Sequence, residues 1–140
     1  MIAAFLLLTG WEPMEGLAQC YADGVMLQVA ENRIALGHIV PDTDYRYCVA
    51  VTNCDWMGLP VNVTWPDGRI MYGTVCDCSA KQDRERHLEK GLIVEVSWWA
   101  ANEYAHPKGP YLLPRDGPLN GVRVQRVPLP EMVLNLKEIR

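Results

Sequence analysis

Asp77 is the residue of this chain best placed to do chemistry. It stands between two cysteines in "GTVCDCS", residues 73–79, at the end of a run that reads as a strand. A carboxyl group there can serve as general acid or base if burial or a second carboxylate raises its proton affinity. Its neighbours Val75, Cys76 and Cys78 are weakly polar and permit such a shift. The competing reading is structural: a strand-end aspartate that accepts backbone N–H bonds and holds the loop after it.

Other groups can join it. Asp23, after an earlier strand, is a possible second carboxylate, and Tyr21 lies two residues before it. Arg84, Arg86 and His87 sit in the charged stretch "KQDRERHLEK", residues 81–90. Such a run is ordinarily a solvated loop, yet Arg84, Arg86 and His87 could supply a cation beside Asp77. Trp56, in the loop "NCDWMG", offers a flat apolar face with a polar handle, suited to stacking on a sugar ring. Trp98 and Trp99 open a helix, with one of them packing on the body of the fold. His38 and His106 read as surface or turn residues.

The five cysteines, at 20, 48, 54, 76 and 78, are many for a cytosolic domain of this length and favour an oxidising, extracytoplasmic compartment. Two bridges and one spare thiol can be drawn in several ways. Cys76 and Cys78 lie two apart on a strand, so each is expected to bond a different partner. Neither C-x5-C nor C-x-C has the spacing of a zinc knuckle. No metal or other cofactor is expected.

These residues need a scaffold, and 140 residues suffice for one domain with a real core. A net charge of −4 gives no electrostatic basis for nucleic-acid binding or for attraction to anionic membranes. Ten prolines and eleven glycines imply many turns and few long helices. The apolar run Ile2–Leu8 in "MIAAFLLLTGW" is too short to span a bilayer. Residues 1–15 therefore read as a signal remnant, a buried first strand or an anchor onto a partner.

Along the chain, "GLAQCYADG" reads as a short strand closed by an Asp-Gly turn. The apolar spacing of "VMLQVAENRIALGHIV" fits neither strand nor helix well. "YRYCVAVTNC" is strand-like. Val61, Val63 and Trp65 alternate with Asn62 and Thr64, and Pro66-Asp67-Gly68 turns the chain into a return strand, which makes a hairpin. "GLIVEV" is a short buried strand, and Ser97 is an N-cap for "WWAANEYA", a helix of about two turns. A Pro/Gly-rich loop leads to a last alternating strand, "GVRVQRV". Residues 128–140 form a tail. Six or seven short strands with one or two small helices predict a mostly-β barrel or sandwich.

The order of these motifs resembles the double-psi β-barrel of the rare lipoprotein A, expansin and barwin group. The matching elements are Gly16, Ala18 and Tyr21 of a G-x-A-x-x-Y opening and "TNC-x-x-x-G-x-x-V-x-V" (Thr52–Val63). "GTVCD" ends at Asp77, "GLIVEVS-x-x-AA" spans Gly91–Ala101, and "GVRV" starts at Gly121. The likeness covers about residues 16–127. It implies that Asp77 falls on the family's catalytic or binding aspartate, and that Glu95 and Ser97 fall on its "D-L-S" aspartate and serine. Asp77-Cys78-Ser79-Ala80 departs from the family's D-R-G-P, and no "T-A-x-G" segment is found.

The resemblance implies a partner, a cell-wall polysaccharide such as peptidoglycan, and lytic-transglycosylase-like cleavage with Asp77 as acid and base. Tyr21, Asp23, Trp56, Arg84 and His87 would then contact substrate. Two other functions fit the same residues: a non-catalytic carbohydrate-binding module, and a structural or virion-associated barrel.

Overall fold

The structure, a computed structural model, describes residues 13–105 and 119–127. Residues 1–12, His106 with the loop after it, and the tail 128–140 lie outside the described residues. The chain runs β1 (Met14–Cys20), α1 (Val25–Ala35), β2 (Cys48–Val51), β3 (Pro60–Thr64) and β4 (Ile70–Cys78). It continues as α2 (Lys81–Lys90), β5 (Leu92–Val96), α3 (Trp98–Ala100) with a π-helical turn over Ala101–Ala105, and β6 (Leu119–Arg126). Short 3-10 turns stand at Tyr45–Tyr47 and Cys54–Trp56.

The six strands close into a barrel in the order β1-β5-β2-β4-β3-β6. This is the expected mostly-β barrel, with six strands and three short helices. Two of its pairings are parallel, β1 with β5 and β2 with β4, and the other four are antiparallel. Exchanging β1 with β4, β2 with β5 and β3 with β6 returns the same ring with the same strand directions. The helices follow the same rule, since α1 joins β1 to β2 and α2 joins β4 to β5.

The alternation read in the sequence sets the register. Val61 and Val63 are fully buried while Asn62 and Thr64 are half-buried, and Val63 pairs with Met71 across the hairpin. Val49, Val51, Val94, Val96, Val122 and Val124 complete an interior of β-branched side chains. β-branched residues suit this pleated, crowded surface. Gly16 and Gly73 allow the parallel strands to approach: a Cβ on Gly16 would collide with the carbonyl oxygen of Gly91, and one on Gly73 would lie 2.6 Å from that of Tyr47.

A smaller apolar cluster lies outside the barrel, where Met26 and Ala30 of α1 cover Ile39 and the Cys48–Cys76 bridge. The second bridge joins Cys54 to Cys78. Cys76 and Cys78 thus reach different partners, as their spacing predicted, and Cys20 remains a buried thiol. Two disulfides fit an extracytoplasmic location. No helix among the described residues is long and apolar enough to cross a membrane.

Two segments depart from the sequence reading. Residues 25–35, ambiguous in sequence, are helical, because only Met26 and Ala30, one helical turn apart, need burial. The stretch read as a charged loop is α2, a helix with no buried residue. Its stop is Gly91 in the left-handed region at φ 73°, whose N–H bonds the last turn.

Candidate functional site

The pairing of four strands sets out the site as one row. Gln19 of β1 lies opposite Glu95 of β5, Glu95 opposite Ala50 of β2, and Ala50 opposite Asp77 of β4. Directly paired residues point to the same side of a sheet. Val94 and Val96 face the core, so Glu95 and its row face outward. Asp77 and Glu95 are therefore two interstrand steps apart, about 9–10 Å between backbones. Between them stands only a methyl group, that of Ala50.

Asp77 is heavily engaged. Its Oδ2 accepts the Tyr21 hydroxyl at 2.7 Å. Its Oδ1 accepts from Arg33 Nη2 at 2.8 Å and from the Cys78 backbone N–H at 2.9 Å. A carboxylate offers about four acceptor positions, so three donors leave one for a ligand. Side-chain exposures of 20% for Asp77 and 25% for Arg33 make this a partly desolvated ion pair rather than a surface one. Tyr21 arrives from the end of β1, where its N–H donates to the Val96 carbonyl and directs the ring along the barrel wall. Burial, then the hydrogen bond to Asp77, push its phenol far above the ordinary tyrosine range.

Glu95 behaves differently. Burial, followed by the negative charge of Asp77, raises its carboxyl above the usual range. Cys20, nearby on β1, is pushed up to about 11 by burial and then by Glu95.

The row opens on a groove of about 600 Å³ whose walls include Tyr21, Arg33, Asp77, Glu95, Arg84 and His87. α1 supplies Arg33 on one side, and α2 supplies Arg84 and His87 on the other. Arg84 Nη2 lies 3.5 Å from Cys54 Sγ, and His87 Nδ1 lies 2.7 Å from Ser79 Oγ. Of the residues read from sequence, Tyr21, Asp77, Arg84 and His87 thus come together.

Two do not. Asp23 lines a separate hollow of about 250 Å³ with Tyr45, Trp98, Trp99 and Asn102, because the turn into α1 carries it away from Tyr21. Trp56, expected to stand exposed for stacking, is 7% exposed and belongs to the barrel core. The 3-10 turn capped by Asn53 folds its indole inward, with the Arg126 guanidinium 5.8 Å from the ring centre. Arg33 escaped the sequence reading because its segment was not recognised as a helix, and Ser79 because its partner was placed in a loop. Among the described residues no cluster of His, Cys, Asp or Glu is arranged to hold a metal ion.

No protein-family model matches the chain, and no curated protein matches it. Among solved structures it is similar to the Streptomyces papain inhibitor, with 19% sequence identity and a TM-score of 0.46, over 84% of this chain and 96% of that one.

Proposed function

We propose that the groove over Asp77 and Glu95 engages a cell-wall polysaccharide such as peptidoglycan and cleaves its glycan strand in the manner of a lytic transglycosylase. One observation carries this reading: two carboxyl groups in one outward-facing row, separated by Ala50, on the wall of an open groove. The expected double-psi topology is supported by the exchange of β1–β3 with β4–β6 in the strand ring.

The hydrogen bonds divide the labour between the carboxyls. Asp77 has three of its acceptor positions filled by protein donors, and it lines the groove where the sugar would lie. Glu95 is raised by burial and by Asp77, the setting of a proton donor. Glu95 protonates the departing glycosidic oxygen. Asp77 steadies the positive charge that develops on the sugar ring, and its remaining acceptor position receives the proton of the sugar's own 6-hydroxyl as that oxygen closes on the anomeric carbon. The sequence reading gave both proton transfers to Asp77; this division moves the first to Glu95.

A second reading, non-catalytic sugar binding, is favoured by the Arg33–Asp77 ion pair, which occupies the carboxylate that catalysis needs. Digestion of purified sacculi separates the two. Release of muropeptides with 1,6-anhydro ends by the wild type, lost by at least about 100-fold in Glu95→Gln and Asp77→Asn, supports cleavage. Co-sedimentation of all three proteins with sacculi without product leaves the binding module. Absence of both points to a structural or virion-associated barrel.

A further inference from the structure

The groove contains a second reactive pair that glycan cleavage does not use. Ser79, the residue between β4 and the cap of α2, places Oγ 2.7 Å from Nδ1 of His87. Both side chains are half-buried and open on the groove. A small hollow beside them is lined by Ser79, His87 and Glu95 as well. The positions are fixed by independent restraints. Ser79 N–H donates to the Val51 carbonyl at 2.9 Å, and the preceding Cys78 is bridged to Cys54. The His87 carbonyl accepts from the Gly91 N–H that ends α2.

A hydroxyl hydrogen-bonded to an imidazole nitrogen in an accessible groove is the arrangement of an activated nucleophile. We propose that Ser79 and His87 form a nucleophile–base pair that hydrolyses carboxylic esters, the substrate class being a short acyl group carried on a sugar hydroxyl. The sugar half of that assignment rests on the polysaccharide reading; the ester half does not.

The steps balance with water as the only co-reactant. With His87 in its Nε2–H tautomer, Nδ1 takes the serine proton as Oγ bonds to the acyl carbon and the carbonyl electron pair moves onto oxygen. The donors for that oxyanion are the Arg84 guanidinium on the groove wall and the backbone N–H of Lys81, a groove residue at the start of α2 that no side chain caps. Collapse breaks the ester C–O bond, and His87 returns the proton to the departing alkoxide. Water then attacks the acyl-serine by the same route, releasing the carboxylic acid and restoring Ser79.

A fluorophosphonate probe with peptide mapping tests the pair on the intact wild-type protein, without a glycan. The expected result is one adduct, on Ser79, and hydrolysis of p-nitrophenyl acetate that falls by about 100-fold or more in Ser79→Ala and His87→Gln. No adduct on Ser79, or hydrolysis unchanged in Ser79→Ala, overturns the proposal. The adduct is read on the wild type, so a variant that folds poorly does not decide the outcome. Release of acetate from O-acetylated sacculi supports the sugar ester as substrate. A labelled, esterase-active protein that releases none overturns that half of the assignment, whereas failed sacculus cleavage alone bears only on the glycan reading.

Discussion

The two halves of the barrel, β1–β3 and β4–β6, share a scaffold but not their chemistry. Each begins with a strand whose glycine admits a neighbouring backbone, Gly16 against Gly91 and Gly73 against Tyr47. Each follows that strand with a helix, and each contributes one member to both parallel pairs. The reactive groups are distributed unevenly. The end of β4 carries Asp77 and Ser79, whereas the end of β1 contributes Tyr21, a supporting donor. The staples are uneven too: both disulfides reach β4, one from β2 and one from the turn after it, and the β1–β5 pair has none. The scaffold is repeated where geometry demands it, and rigidity is concentrated on the strand that presents the carboxylate.

The most severe way to test the repetition is to add one methyl group to each glycine. Gly16→Ala and Gly73→Ala each push a Cβ onto a backbone carbonyl rather than onto the end of a flexible side chain. Each is expected to cost about 4 kcal/mol or more, by similar amounts, in urea unfolding. A mild effect at one site and a severe one at the other would break the equivalence of the halves.

The uneven stapling gives the next largest effect. The bridges close loops of 28 and 24 residues in sequence separation, so chain entropy alone gives each about 3–4 kcal/mol. Cys48 and Cys76 are fully buried beneath α1. Their paired replacement by alanine should therefore cost more than that of Cys54 and Cys78, which border the groove. Equal losses in urea titrations would mean that packing under α1 adds nothing.

The smallest effect sharpens the contrast between the two carboxyls. A carboxyl whose proton affinity rises on folding binds protons more tightly in the folded state, so stability falls as pH climbs through its folded-state range. Burial and Asp77 place Glu95 in this class. Its contribution is complete below the ordinary glutamate range and disappears above the raised one. Glu95→Gln should flatten the fall of Tm as pH rises above the ordinary glutamate range; an unaltered profile would remove Glu95 as the shifted group.

The strands were the readable part of the sequence, for a physical reason. Val61-Asn62-Val63-Thr64 and the Pro66-Asp67-Gly68 turn encode burial and backbone conformation locally, and the β3–β4 hairpin follows from them. α2, read as a loop, carries a signal of another kind. Its residues are nearly all straight-chain helix formers, with Asp83 in the first turn, Lys90 in the last and Gly91 at the stop. Apolar periodicity could not show it, because α2 buries nothing. The Asp77–Ala50–Glu95 row was not readable, since it depends on a crossover that places β5 and β2 between β1 and β4. Trp56 misled because a loop tryptophan is solvent-facing only if the loop does not turn inward, and the Asn53 cap makes it do so.

Among the described strands β6 is made last, and it slots between β1 and β3, the first and third. During synthesis every earlier strand can be in place while two unpaired edges remain exposed, each able to recruit a foreign chain. The parallel β1–β5 contact also joins segments far apart in sequence, which slows assembly. Nascent chains that stop short of residue 119 should therefore aggregate, and a cell making this protein in quantity would need a holdase to shelter the open cylinder until its final stave arrives.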